Sequence, residues 1–181
     1  MNRRLLHTPE GVRDIYGEEC RKKQILEEKL KQAIECFGYQ VIETPTFEFF
    51  DIFGREIGTT PSKCLYKFFD REGNTLALRP DITPSVARAA AMYFSEEDLP
   101  VRFYYKGSVF INNSSYQGRL KESTQLGAEL IGDNSVEADA EMAALAVECL
   151  LAAGLKEFQL CVGHADFFRG LMEAAGFNEE A

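Results

Sequence analysis

Tryptophan is absent from the 181-residue sequence, and histidine occurs only twice, at His7 and His164. Two histidines so far apart leave little from which to build a histidine-ligated metal site or a Ser–His relay. The five cysteines, Cys20, Cys36, Cys64, Cys149 and Cys161, are odd in number, scattered and without a CxxC pair. Disulfide frameworks and zinc sites want even sets at tight spacing, so free thiols in a reducing cytoplasm are the expectation and no metal is. Basic charge is also short. Lys and Arg total 20 against 29 Asp and Glu, a net charge of −9, and a nucleic-acid binder needs a basic face to displace phosphate counterions. No run approaches the roughly 20 apolar residues that span a bilayer, and MNRRLLHTPEGV is no secretory signal. Neither a nucleic acid nor a membrane is therefore expected as a partner. Glycine-rich loops of the P-loop or dinucleotide type are missing too, so no cofactor is expected.

What remains is a chain able to bury a core, with 45% hydrophobic residues. Thr8–Gly17 is a turn-rich entry. From Glu18 to Phe37, Leu26, Leu30, Ala33, Ile34 and Phe37 recur at helical steps, with acidic residues opening the helix and Gly38 closing it. Tyr39–Pro45 reads as a strand stopped by proline, followed by a short helical piece around Phe49–Ile57. KCLYKFFDR and TLALRP, separated by EGN, predict a hairpin. Thr83-Pro84 has the form of an N-cap followed by proline, starting a helix through about Tyr93. Val101–Ile111 is a long aromatic strand, NNSSYQGRLK a polar loop, and STQLGAELIG a returning strand. Ser135 is placed to cap a helix through Leu151 that Gly154 ends. EFQLCVGH reads as a final strand and DFFRGLMEAAG as a final helix. Strands joined by short hairpins, with helices at the start and end, predict an α+β fold.

Three stretches could carry chemistry. Asp81 and Thr83 in LRPDITPS fall at a strand-to-helix junction, where free N–H groups favour negative charge; the same pair serves equally as a plain cap and dipole complement. Gln125 and Glu129 share one face of a strand with Gly127 between them. A carboxylate and an amide beside a position with no side chain can hold an ammonium group, or simply form a solvated sheet face. The polar loop between the two long strands carries Arg119, free to meet a phosphate or only water.

These stretches also carry a family likeness. TPEGVRDI, FGYQVIETPTFE, KCLYKFFDREGNTLALRPDITPSVAR and YYKGSVF…QGRLKESTQLGAELIG resemble, in that order, the front half of a histidyl-tRNA synthetase catalytic domain, from about Thr8 to Phe177. IETPTFE resembles the first class II synthetase motif, whose proline lies at the dimer interface, and GSVF through GAELIG resembles the second. The resemblance implies a class II synthetase-like antiparallel sheet flanked by helices, with residues 1–181 as its front half and the third motif beyond them. One departure stands out. Where the family reads Phe-Arg-x-Glu, the arginine gripping the α-phosphate of ATP, this chain has Ile111 and Asn113. Isoleucine offers no donor to developing phosphoryl charge, a loss worth about 3 kcal/mol or more of transition-state stabilisation.

The amino-acid side of the pocket is kept by the same comparison. Asp81, Thr83, Gln125 and Glu129 match positions that hold histidine in the family, with Asp81 one methylene shorter than the usual glutamate, and Arg119 matches an arginine of the ATP loop. A histidine site without working ATP chemistry resembles the synthetase-like regulatory subunits of ATP phosphoribosyltransferase, which act in histidine biosynthesis. That implies no catalytic residues of its own and a short-form catalytic subunit as partner. It also implies histidine as a feedback effector and a homodimer within a hetero-oligomer. A catalytic fragment of a true histidyl-tRNA synthetase is the alternative.

Overall fold

The computed structural model describes residues 6–54, 60–113, 118–163 and 165–176. Helix α1 (Gly17–Cys36) opens with Glu18 and Glu19 against its positive end, and Gly38 at φ 84° turns the chain after it. Strands β1 (Gln40–Val41) and β2 (Phe47–Phe49) and the single turn α2 (Asp51–Gly54) follow. The expected helix over Phe49–Ile57 is thus seen as one turn, its last residues lying outside the described ones. A 3-10 turn at Ser62–Cys64 precedes β3 (Lys67–Phe69), which forms with β4 (Thr75–Leu78) the hairpin read around EGN. Helix α3 (Thr83–Tyr93), β5 (Val101–Phe110), β6 (Glu122–Ile131), α4 (Val136–Ala152) and α5 (Ala165–Ala174) complete the order.

Two three-stranded sheets result, β1-β5-β6 and β2-β4-β3. The first is mixed rather than purely antiparallel, because β1 runs parallel to β5. The β5–β6 ladder is antiparallel over its whole length, from Val101 opposite Ile131 to Phe110 opposite Glu122. Both faces of β5 are covered. Phe103, Tyr105 and Val109 pack with Ile82 and Val86 of the α3 region, while Tyr104 packs with Ile34, Tyr39 and Leu145 on the side of α1 and α4. Period-two alternation on β6 gives the same division, with Leu126, Ala128 and Leu130 against the second cluster. A third cluster, Phe53, Leu65 and Ala77, fixes the smaller sheet to α2.

Two readings of the sequence are corrected. Residues 157–163, expected as a strand, join neither sheet, and Phe158, Leu160 and Val162 are exposed. Their alternation is strand-like, but a strand exists only where a partner supplies its hydrogen bonds. Thr83 is not an N-cap: Ile82, whose side chain makes no capping hydrogen bond, occupies that position, so Thr83 stands inside the first turn.

Candidate functional site

Proline at the start of α3 fixes the first turn of the helix, and Asp81 and Thr83 there meet the half-buried, α3-facing side of β6. On β6, Gln125 and Glu129 lie two strand steps either side of Gly127 and face α3. The four side chains form one hydrogen-bonded set. The Gln125 amide bridges: its Oε1 accepts from the Ile82 N–H at 3.0 Å and its Nε2 donates to Asp81 Oδ1 at 2.8 Å. Asp81 Oδ1 also accepts from the Thr83 N–H at 3.3 Å. The Thr83 hydroxyl, free of capping duty, donates to Glu129 Oε1 at 2.7 Å. The cap expected from sequence does not form because the helix starts one residue earlier, and Gln125 and Asp81 accept from the Ile82 and Thr83 N–H groups.

A fifth member went unnoticed in the sequence. Tyr105 on β5, only 4% exposed, donates its hydroxyl to Glu129 Oε1 at 3.1 Å and lies 3.1 Å from Thr83 Oγ1. Burial, with the Glu129 charge as a lesser cause, pushes its phenol up to about 12, so it stays a donor at any physiological pH. The signal that could have found it is register: Tyr105 stands directly opposite Gly127.

The hydrogen bonds of this set use Asp81 Oδ1 and Glu129 Oε1. Asp81 and Glu129 each spend one oxygen on the scaffold, while Oδ2 and Oε2 accept nothing, and no Lys, Arg or His is ion-paired with either carboxylate among the described residues. Both residues are half-buried. Two carboxylates held in reduced solvent without a cation make a place for a positively charged donor.

Arg119, by contrast, is exposed and forms no hydrogen bond or ion pair among the described residues, so it does not join this set. Ile111 follows the end of β5, half-buried, its N–H donating to the Lys121 carbonyl at 2.9 Å; the Asn113 N–H folds back onto the Ile111 carbonyl at 2.9 Å. Neither Ile111 nor Asn113 brings charge to the sheet face. Arg79 lies just before the site and is nearly buried. Its Nε donates to the Ser108 carbonyl at 2.8 Å and its Nη1 to the Thr44 carbonyl at 2.9 Å. It fills the gap where the chain after β1 parts from β5, lying over Gly107, where a Cβ would stand 2.1 Å from Nη2. No group of three or more His, Cys, Asp or Glu suited to a metal occurs among the described residues. No helix among them is long and apolar enough to cross a membrane.

Set against known proteins, residues 11–181 match the profile of the histidyl-tRNA synthetase family. A protein of Ruminiclostridium cellulolyticum named ATP phosphoribosyltransferase regulatory subunit is 46% identical over 99% of this chain and 43% of its own length. One of Acetivibrio thermocellus with the same name is 43% identical over 97% of this chain and 42% of its own length. The crystal structure of an ATP phosphoribosyltransferase regulatory subunit/histidyl-tRNA synthetase from Bacillus halodurans superposes with a TM-score of 0.87 at 36% identity, over 97% of this chain and 45% of that one. The chain therefore spans less than half the length of these relatives.

Proposed function

The chain belongs to the histidyl-tRNA synthetase family, with its class II α+β fold, and from that premise we propose that it is the front part of a regulatory subunit of ATP phosphoribosyltransferase. In this reading the whole protein is not itself an enzyme. It joins a short-form catalytic subunit in the cytoplasm, is required for that subunit's activity in the first step of histidine biosynthesis, and reports histidine levels back to it. It pairs with a second copy through the segment around Pro45, an exposed residue.

The observation that carries the proposal is the contrast between the two halves of the site. The amine side is preorganised, with Asp81 and Glu129 oriented by Gln125, Thr83 and Tyr105 and each offering an unused carboxylate oxygen. The phosphate side has Ile111 and Asn113 in place of the arginine and glutamate that synthetase chemistry uses. A site that binds an amino acid but cannot activate it suits a sensor. The names of the relatives, and an acidic chain with no need of tRNA, support the same reading. Histidine's ammonium group would sit between Asp81 Oδ2 and Glu129 Oε2, with Thr83 and Gln125 behind the carboxylates. Feedback then requires histidine to bind the inhibited assembly more tightly than the active one, a coupling of about 1–3 kcal/mol in ordinary cases.

The test is turnover of the short catalytic subunit with and without the full-length protein, followed by added histidine. Stimulation reversed by histidine is expected. Absence of stimulation, together with histidine-dependent ATP–pyrophosphate exchange, would overturn the proposal in favour of a working synthetase.

A further inference from the structure

We infer that Arg79 receives a carboxylate across the contact between two copies of this chain: it takes Glu43 of the second copy, and its own Glu43 returns the contact. The inference rests on the proposed pairing through the segment around Pro45 and goes beyond it, by naming the charge pair that the contact buries.

A guanidinium carries five N–H donors and stays charged in proteins. Arg79 is only 7% exposed, yet no ion pair joins it to a carboxylate among the described residues. Burial pushes its pKa down, and no neighbouring charge opposes that shift. Nε gives its hydrogen to the Ser108 carbonyl at 2.8 Å. Nη1 divides its two between the carbonyls of Thr44 at 2.9 Å and Pro45 at 3.3 Å. The two hydrogens of Nη2 meet no acceptor among the described residues. Nor is Nη2 sealed in, since Ser85 Oγ is the one fully buried side-chain atom among them without a partner. Nη2 lies over Gly107, where a Cβ would displace it. Arg79 lines a cavity of about 210 Å³ that Thr44, Thr46 and Lys106 also border. A desolvated cation with unspent donors beside such a cavity calls for an anion, and its planar fork suits a carboxylate.

Position identifies the source of that anion. Thr44 and Thr46, on the cavity wall, flank Pro45. A two-fold contact centred there sets the segment against its own copy, so the acceptor comes from the segment itself. Glu48 is already held by Arg88 at 2.8 Å. Glu43 is exposed, borders the same cavity and makes no hydrogen bond or ion pair among the described residues, while Lys106 is spent on Glu27 at 3.0 Å. Within one chain the two groups stand on opposite faces. Ile42 packs with the cluster of Phe103 and Tyr105, on the face where Arg79 covers Gly107. Thr44 follows it there, its hydroxyl 3.4 Å from Nη1. By alternation Glu43 projects from the other face. A donor and an acceptor at one segment, neither satisfied by the other, suit a reciprocal contact between two copies.

The test is sedimentation velocity of the full-length protein. Glu43→Gln removes a charge at an exposed position and should raise the dimer dissociation constant about thirtyfold or more. Arg79→Lys, which keeps the charge and loses the fork, should act in the same direction. Mixing the two variants separates a contact across copies from one within a chain. A mixed dimer regains one intact Arg79–Glu43 pair only if the contact crosses the interface, so native mass spectrometry should find more of it than random mixing gives. Random mixing, or a dissociation constant unchanged by Glu43→Gln, would overturn the inference and leave the pairing in place. So would calorimetric uptake of inorganic phosphate by the unsubstituted dimer that Arg79→Lys abolishes, since a free anion would then fill the cavity. If Arg79→Lys fails to fold, Glu43→Lys decides: set against Arg79 of the second copy, it should weaken pairing more than Glu43→Gln, and an equal effect overturns the inference. If the unsubstituted protein does not self-associate, the pairing reading itself falls and takes the inference with it.

Discussion

Ser85 shows how much a single buried hydroxyl can reveal. It is fully buried on α3, and its Oγ has no hydrogen-bond partner among the described residues. An unpaired hydroxyl taken out of water costs about 1–3 kcal/mol, and alanine, with better helix propensity, fits the same space. Ser85→Ala should raise the urea midpoint of unfolding, with a gain of about 1 kcal/mol; a loss of stability would mean that the hydroxyl has a partner in the full assembly. Glu129 stands at the opposite extreme, a side chain with two hydroxyl donors on one oxygen. Glu129→Ala should abolish measurable inhibition of the catalytic subunit by histidine while co-purification of the two subunits persists. Unchanged inhibition would remove Glu129 from the site. The two residues differ in what their surroundings provide, since one polar atom is stranded in the core and the other is met by two donors.

At the scale of elements, the large sheet is tied to its helices by charge as well as by packing. Arg102 on β5 donates from Nε and a terminal nitrogen to both oxygens of Glu141 on α4, each at 2.7 Å, and the Tyr39 hydroxyl adds a third donor at 3.0 Å. The Arg102 hydrogen bonds, then that of Tyr39, hold the Glu141 carboxyl below its ordinary value of 4.5. A carboxyl whose pKa is lowered by folding contributes stability that is fully present above the unfolded value and lost as pH falls through the folded one. Glu141→Gln should therefore cost about 1 kcal/mol at neutral pH, given that the pair is partly exposed. The difference from the unsubstituted protein should shrink as unfolding is measured at successively lower pH below 4.5. A constant difference across that range would show that the carboxylate charge is not what matters. The N-cap of α4 is a simpler case: Ser135 Oγ accepts from the Ala138 N–H at 3.2 Å, and Ser135→Ala should cost about 1 kcal/mol in chemical unfolding.

That cap was legible in the sequence, as were α1, α4 and the β3–β4 and β5–β6 pairs, because periodicity, capping residues and turn residues act within a few positions of one another. Gln125 and Glu129 could be placed on one face by counting in twos. Thr83 was misread as a cap because the helix starts one residue earlier, where Gln125, 43 positions away, meets the Ile82 N–H, and local spacing is blind to that. Tyr105 could not be found before the β5–β6 register was known. The alternating Phe158, Leu160 and Val162 promised a strand that no neighbour among the described residues pairs with. In each case the missing information was the identity of a distant partner.

For the molecule as a whole, the smaller sheet presents an apolar face that the described residues leave open. Phe47 is paired with Leu78, and Phe49 and Phe68 both with Leu76, so these five side chains project on one side. Ala77, on the other side, is fully buried against Phe53 and Leu65. Phe47, Phe49 and Phe68 remain 50%, 58% and 37% exposed, with Phe47 and Phe68 in edge-to-face contact at 5.6 Å. An aromatic patch of this kind on a folded surface is seldom left to water, and it begins two residues beyond Pro45, where the proposed pairing with a second copy is centred. A two-fold interface presents the same patch from both copies, so one charge placed in it is met by its own image across the axis. Phe49→Glu costs the monomer little, since the side chain is mostly in solvent and the core lies on the other face. If the face is part of the dimer, sedimentation velocity of the full-length variant should show dissociation at concentrations where the unsubstituted protein remains paired, with unchanged circular dichroism. Equal association of both proteins would place the contact between copies elsewhere and return this face to the rest of the polypeptide or to the catalytic subunit.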